Sequence, residues 1–209
     1  MLKVHHLNNS RSQRILWLLE ELGTPYEIVH YKRMEPLPLA PPELKEVHPL
    51  GKSPVITDDG TTVAESGAIV EYLLDKYGNG RMRPKPGSPD HVAYIQWLHY
   101  AEGSAMLPFL LALYAGMLGD GAAPLRPYID MEITKHLSYI EGALEGREFL
   151  VGKDLTGADV QISFVLEAAA SGDRLKDHPG LKRYFDRLHA RPAYQRALEK
   201  GGPYQLMAR

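Results

Sequence analysis

Apolar residues Ile15, Leu18, Leu19 and Leu22 recur at the three-and-four spacing of one helix face. The run before them, residues 2–7 (LKVHHL), alternates in part, as a half-buried strand does, and the polar stretch Asn8-Asn9-Ser10 separates the two. The chain therefore opens strand, loop, helix. Gly23 stands where that helix must stop, and Thr24-Pro25 launches a second strand over residues 26–31. Between residues 32 and 42 lie Pro36, Pro38, Pro41 and Pro42, too many for regular structure, and residues 43–47 leave room for one helical turn before His48-Pro49. Residues 53–57 and 61–64 read as strands joined through Asp58-Asp59-Gly60, a hairpin signal because Gly tolerates the positive φ of such turns. Ser66 is expected to cap a helix carrying Ile69, Val70, Leu73, Leu74 and Tyr77. The order is βαβαββα, an α/β domain over residues 1–78.

Residues 79–90 are rich in Gly, Pro and charge and have no periodicity, which is the pattern of a linker between domains. From residue 91 to 209 Pro and Gly only punctuate helical patterns, at about 90–118 with a kink at Pro108, then 124–145, 157–171, 178–189 and 192–199. The second domain is expected to be all helix. No internal repeat or low-complexity tract interrupts this plan.

Composition narrows the chemistry. With 24 Lys+Arg against 26 Asp+Glu the net charge is -2, which gives no footprint for nucleic acid or an anionic membrane. The absence of cysteine removes disulfides, thiolate metal sites and a cysteine nucleophile, so any thiol chemistry must use a thiol brought from outside. No run of about 18 apolar residues and no signal-peptide core is present, and a cytoplasmic protein is expected. The sequence also lacks GxGxxG after the first strand, a Walker loop and HExxH, and its nine histidines are scattered, so no metal site is expected. His5 and His6 point to opposite faces of their strand and are read as packing or solvent residues.

Three places could carry chemistry. Ser10-Arg11-Ser12-Gln13 fits a capping box, with Ser10 accepting from the Gln13 N–H and the Gln13 side chain reaching back. The same helix N-terminus is an anion site, where a serine hydroxyl can donate to a bound thiolate. Ser53-Pro54 sits at a strand start; a cis bond there would free the Ser53 peptide for an extended ligand, whereas a trans proline would merely open an edge strand. Lys52 beside it is either a solvated cation or a partner for a carboxylate. Glu65 and Ser66 precede the third helix, and together they suit a ligand with an ammonium and a carboxylate on one carbon. By contrast Thr156-Gly157-Ala158-Asp159, flanked by Leu155 and Val160, reads as a capping box with a hydrophobic staple, and Asp159 as a folding residue.

In combination, SRSQRILWLLEELG from Ser10, HPLGKSPV around Pro54, ESGAIVEYL from Glu65 and a helical domain with LTGADV resemble the cytosolic glutathione transferases, specifically the serine-type bacterial and fungal members. The resemblance covers almost the whole chain. It implies a thioredoxin-like βαβαββα domain followed by an all-helical domain, usually in a homodimer, and glutathione as co-substrate. It also implies that Ser10 holds the glutathione thiolate, with Ser12 as the alternative serine for that role, and that Lys52 meets the glycyl carboxylate. Ser53 before cis-Pro54 would pair with the cysteinyl segment, and Glu65 with Ser66 would form the γ-glutamyl site. Gly51 departs from relatives with a basic residue or His at that position, so one carboxylate contact is in question. Neither a tyrosine at the end of the first strand nor a cysteine near the first helix is present, which sets aside the Tyr-type and Cys-type branches. A hydrophobic electrophile would lie against Tyr100, Met106, Leu107, Phe109, Tyr204 and Met207, and Glu102 would reach a partner subunit's site. Peroxide reduction or bond cleavage at the same thiolate, and a non-catalytic scaffold, are the alternatives.

Overall fold

A computed structural model describes residues 1–35 and 39–206; Pro36, Pro38 and Met207 lie outside the described residues. The chain forms two compact units, Met1–Arg83 together with Leu188–Arg209, and Pro84–Arg187.

In the first unit β1 (Lys3–Leu7), β2 (Glu27–Tyr31), β3 (Val55–Asp58) and β4 (Thr61–Ala64) form one mixed sheet in the order β2-β1-β3-β4. β1 runs parallel to β2, with Val4 opposite Ile28, and antiparallel to β3, with Val4 opposite Ile56. The β3–β4 hairpin closes through Asp59 (φ 49) and Gly60 (φ 86), the paired positive φ values of a two-residue turn whose twist matches its strands. The helices are α1 (Ser12–Leu22), a single turn α2 (Leu44–Val47) and α3 (Ser66–Tyr77). This is the thioredoxin-like arrangement expected from the sequence.

α1 is buried on nearly every side, because α9 (Pro192–Gly201) packs along it in addition to β1 and α3. Trp17 meets Tyr194 edge-on at 5.4 Å between ring centroids. Glu21 accepts from Trp17 Nε1 at 2.9 Å and from Arg191 at 2.5 and 3.0 Å, so polar residues at the end of α1 become anchors for the C-terminal helix. The C-cap is Gly23 at φ 68, a left-handed position that a Cβ would strain.

The second unit contains α4 (Pro89–Tyr100), α5 (Leu107–Met117), α6 (Arg126–Ala143) and α7 (Gly157–Ser171); α8 (Pro179–His189) follows. The long helix expected over 90–118 is interrupted by a π-helical turn at Ala101–Ala105. Pro108 has no N–H for the Ser104 carbonyl, and the Met106 N–H reaches Ala101 O at 3.0 Å instead, so the expected kink is a wider turn just before the proline. The capping box at the start of α7 forms as read: the Thr156 N–H donates to Asp159 Oδ2 at 2.8 Å, and Thr156 Oγ1 accepts from Ala158 N at 3.3 Å.

Candidate functional site

Ser10 lies in the loop between β1 and α1, and that loop is held from three sides. Arg33 donates to the carbonyls of Asn8 (3.1 Å) and Asn9 (2.7 Å), and the backbone N–H of Gln205 donates to Asn9 Oδ1 at 2.7 Å. Asn9 has φ 52, a value Asn tolerates better than most residues. The third hold is internal. Ser10 Oγ accepts from the Ser12 N–H at 3.2 Å and lies 2.8 Å from Ser12 Oγ.

This differs from the capping box expected at Ser10. α1 begins at Ser12, the Gln13 N–H binds the Ser10 carbonyl rather than its hydroxyl, and Arg11 occupies the cap position without a side-chain cap bond. The Gln13 side chain is buried and its amide has no hydrogen-bond partner among the described residues. The reason is α9: a Cβ at Gly201 would come within 2.7 Å of Gln13 Oε1, so the amide is enclosed between the two helices and does not reach back to Ser10.

Beneath Ser10 a chain of polar groups runs inward. Ser12 Oγ lies 2.9 Å from His6 Nδ1 and 3.2 Å from Leu7 O, and His6 Nε2 lies 3.1 Å from Gly201 O. His6 is fully enclosed, and burial, assisted by His30 at 5.7 Å, pushes its pKa down to about 4. Its neighbour His5 faces the other way and bonds to Tyr31 Oη (3.0 Å) and Thr57 Oγ1 (3.3 Å); burial lowers its pKa as well, with Lys3 adding to the effect. Both histidines are packing residues, but His6 packs under the candidate site. The sequence signal was only a histidine at the buried end of β1, too common a pattern to single out.

The Ser53–Pro54 peptide is cis. The β1–β3 ladder begins at His5 and Val55, so the main chain of Ser53 lies outside it. The Ser53 hydroxyl donates to His5 O at 2.8 Å and accepts from Leu7 N at 3.2 Å, which fixes the segment against the end of β1 that leads to Ser10. Lys52 is exposed beside it. Gly51 has φ 58, and a Cβ there would meet Lys45 Cγ at 2.8 Å. A side chain at residue 51 would therefore sit on a strained left-handed backbone and force the exposed Lys45 side chain to move.

α3 starts at Ser66 itself, and Glu65 occupies its cap position with φ 69 and ψ 119, so the expected cap role of Ser66 gives way to a first-turn one. Ser66 is buried and accepts from Arg14 Nη1 at 3.4 Å, which joins the N-terminal ends of α1 and α3. Glu65 projects from the surface. Ser10, Ser53 and Ser66 are thus linked through β1 and α1 of one unit, with Lys52 and Glu65 exposed next to two of them.

Of the residues expected to line an electrophile pocket, Tyr204 stands next to Gln205, in the tail fastened to Asn9. Met106 and Phe109 are buried and Leu107 is exposed. Tyr100 Oη pairs with His136 Nδ1 at 2.6 Å within the second unit. Among the described residues no three His, Asp or Glu side chains gather as a metal site, and no helix is long and apolar enough to cross a membrane.

Comparison with known proteins bears on this arrangement. Residues 1–75 match the glutathione S-transferase N-terminal domain and residues 110–201 the glutathione S-transferase C-terminal domain. The chain is 37% identical to glutathione S-transferase 3 of Schizosaccharomyces pombe, over 96% of this chain and 88% of that protein. It is 31% identical to glutathione S-transferase 1 of Saccharomyces cerevisiae, over 96% and 95%. A glutathione S-transferase crystal structure from Actinobacillus pleuropneumoniae superposes with a TM-score of 0.89 at 38% identity, covering 100% of this chain and 96% of that one. A glutathione transferase from Phanerochaete chrysosporium in complex with oxidized glutathione superposes with a TM-score of 0.81 at 26% identity, covering 96% of each chain.

Proposed function

The chain belongs to the glutathione S-transferase family, and from that premise we propose that it binds glutathione at Ser10, Lys52, Ser53, Glu65 and Ser66 and activates the thiol for attack on a hydrophobic electrophile. The observation that carries this reading is that Ser53 is bonded to the end of β1 that leads to Ser10 and that Arg14 of α1 is bonded to Ser66, so the three serines are tied to one β1–α1 segment. A tripeptide with two carboxylates and one ammonium complements that set. Lys52 takes the glycyl carboxylate, and the Ser53 main chain outside the ladder takes the cysteinyl segment. The first turn of α3 takes the γ-glutamyl carboxylate, and Glu65 takes the ammonium. The bound oxidized glutathione of the Phanerochaete chrysosporium relative supports the ligand class.

Magnitudes define the enzyme's task. A free thiol with a pKa of about 8.5 is only a few per cent thiolate at neutral pH. A hydrogen bond to a charged acceptor contributes about 1.5–3 kcal/mol, and each pKa unit corresponds to about 1.36 kcal/mol. One donor from Ser10 therefore lowers the thiol pKa by roughly one to two units and makes the thiolate abundant near pH 7. Serine acts as donor and not as base, since its own pKa lies far above the working range. A cytoplasmic homodimer belongs to the same reading.

Calorimetry with glutathione, followed by turnover against a panel of electrophiles and peroxides, tests it. Binding with conjugation of electrophiles is expected. Binding with peroxide reduction alone would move the reaction to a peroxidase, and no heat at millimolar glutathione would leave a scaffold.

A further inference from the structure

The contacts beneath Ser10 determine which way its hydroxyl proton points. Gly201 O can only accept, so His6 carries its ring proton on Nε2 and presents a lone pair at Nδ1. Burial keeps the ring neutral at working pH. Ser12 Oγ then faces two acceptors, His6 Nδ1 at 2.9 Å and Leu7 O at 3.2 Å, and commits its only proton inward to one of them. At the 2.8 Å contact between the two serines the donor must therefore be Ser10. The geometry points to Ser12 as a positioning residue that holds the Ser10 proton in the resting protein and competes with a bound thiolate for it.

This inference rests on the reading of Ser10 as the thiolate donor and adds a cost to it. For Ser10 to donate to sulfur its hydroxyl must rotate off Ser12, and Ser12 cannot turn its own proton toward Ser10 without abandoning Leu7 O and His6 Nδ1. The thiolate therefore gains one charged hydrogen bond at the expense of one neutral bond. Without the Ser12 hydroxyl the expense disappears. The Ser12 backbone N–H, which donates to Ser10 Oγ at 3.2 Å, stays in place and leaves the Ser10 proton free for the ligand.

The test is the pKa of the thiol in the glutathione complex, followed by the ultraviolet absorbance of the thiolate in the full-length protein, which requires no second substrate. Ser12→Ala should lower that pKa by roughly half to one unit, the equivalent of one neutral hydrogen bond, whereas Ser10→Ala should raise it by roughly one unit, the charged bond less the neutral bond it displaces. Ser12→Thr keeps the hydroxyl and should restore the wild-type value, which a merely structural role of Ser12 would not require. Ser12→Gly gives the same readout should the alanine variant not fold. A raised or unchanged pKa in the hydroxyl-free Ser12 variants, with the Ser10→Ala rise intact, overturns the positioning role alone. An unchanged pKa in Ser10→Ala overturns the reading of Ser10 as donor, and the positioning role with it.

Discussion

His6 Nε2 lies 3.1 Å from the carbonyl oxygen of Gly201, so the first strand is bonded to the last residue of the last helix, 195 positions away. The close approach depends on the missing side chain. A Cβ at residue 201 would meet Gln13 Oε1 at 2.7 Å, Leu16 Cδ1 at 3.0 Å and His6 Cε1 at 3.4 Å. Gln13 and Leu16 are buried and cannot swing clear. Gly201→Ala should therefore overpack this seam and destabilise the protein by about 1–3 kcal/mol, read as a lower denaturant midpoint. An unchanged midpoint would mean that α9 can shift away from α1 without penalty.

The buried His6 ring makes stability depend on pH in a defined window. Its pKa is pushed down from 6.5 to about 4, mainly by burial. Between those values the unfolded chain binds a proton that the folded protein refuses, so stability rises with pH across the window. The contribution is fully present above about pH 6.5 and is lost as pH falls through about 4, a total on the order of 3 kcal/mol. Denaturant unfolding at a series of pH values should show this slope, and His6→Phe should flatten it. A wild-type slope retained in His6→Phe would assign the titration to another group.

Local pattern made most of the elements legible, and α7 occupies the 157–171 span read from periodicity. The hairpin needed only Asp59-Gly60, because few residues accept two successive positive φ values. What could not be read was set by contacts distant in sequence. Ser10 followed by Gln13 matches a capping box, yet α9 encloses the Gln13 amide and α1 starts two residues later. Ser66 matched an N-cap for the same local reason, and its hydroxyl instead accepts from Arg14 of α1. His6 illustrates the limit most directly: its partners are Ser12, six residues on, and Gly201, 195 residues on, and no periodicity signals the second. The family resemblance located the candidate site residues, but it did not reveal the polar chain beneath Ser10.

Asp159 is a support of the helical unit. Its carboxylate accepts from Leu150 N at 2.9 Å, Thr156 N at 2.8 Å, Thr156 Oγ1 at 3.0 Å and Tyr184 Oη at 2.5 Å. Burial pushes its pKa up, and the same donors, Leu150 first, work against that push. Asp159→Asn replaces one accepting oxygen by an NH2 group that confronts donors, leaving at least one buried N–H or O–H unpaired. A loss of about 3–5 kcal/mol is expected, by analogy with removing one partner of a buried charged network. Glutathione affinity per folded molecule should stay near wild type. A folded variant that binds glutathione much more weakly would contradict a purely structural role.

Glu65 should show stability and binding moving in opposite directions. It holds φ 69 and ψ 119 at the entrance to α3, a backbone conformation that costs a residue with a Cβ about 1–3 kcal/mol. Glycine carries less of that strain but gives back part of the gain through the greater entropy of its unfolded chain. Glu65→Gly should therefore raise stability by on the order of 1 kcal/mol or leave it level, whereas Glu65→Ala keeps the strained backbone and should change stability little. Both substitutions remove the carboxylate proposed to meet the γ-glutamyl ammonium. For an exposed ion pair the expected weakening of glutathione binding is roughly two- to fivefold, equal in the two variants. Calorimetric titration beside a denaturant melt separates the effects. Should Glu65→Ala bind as tightly as wild type, the ammonium contact is misassigned; should Glu65→Gly be the less stable of the two, the φ value is not a source of strain.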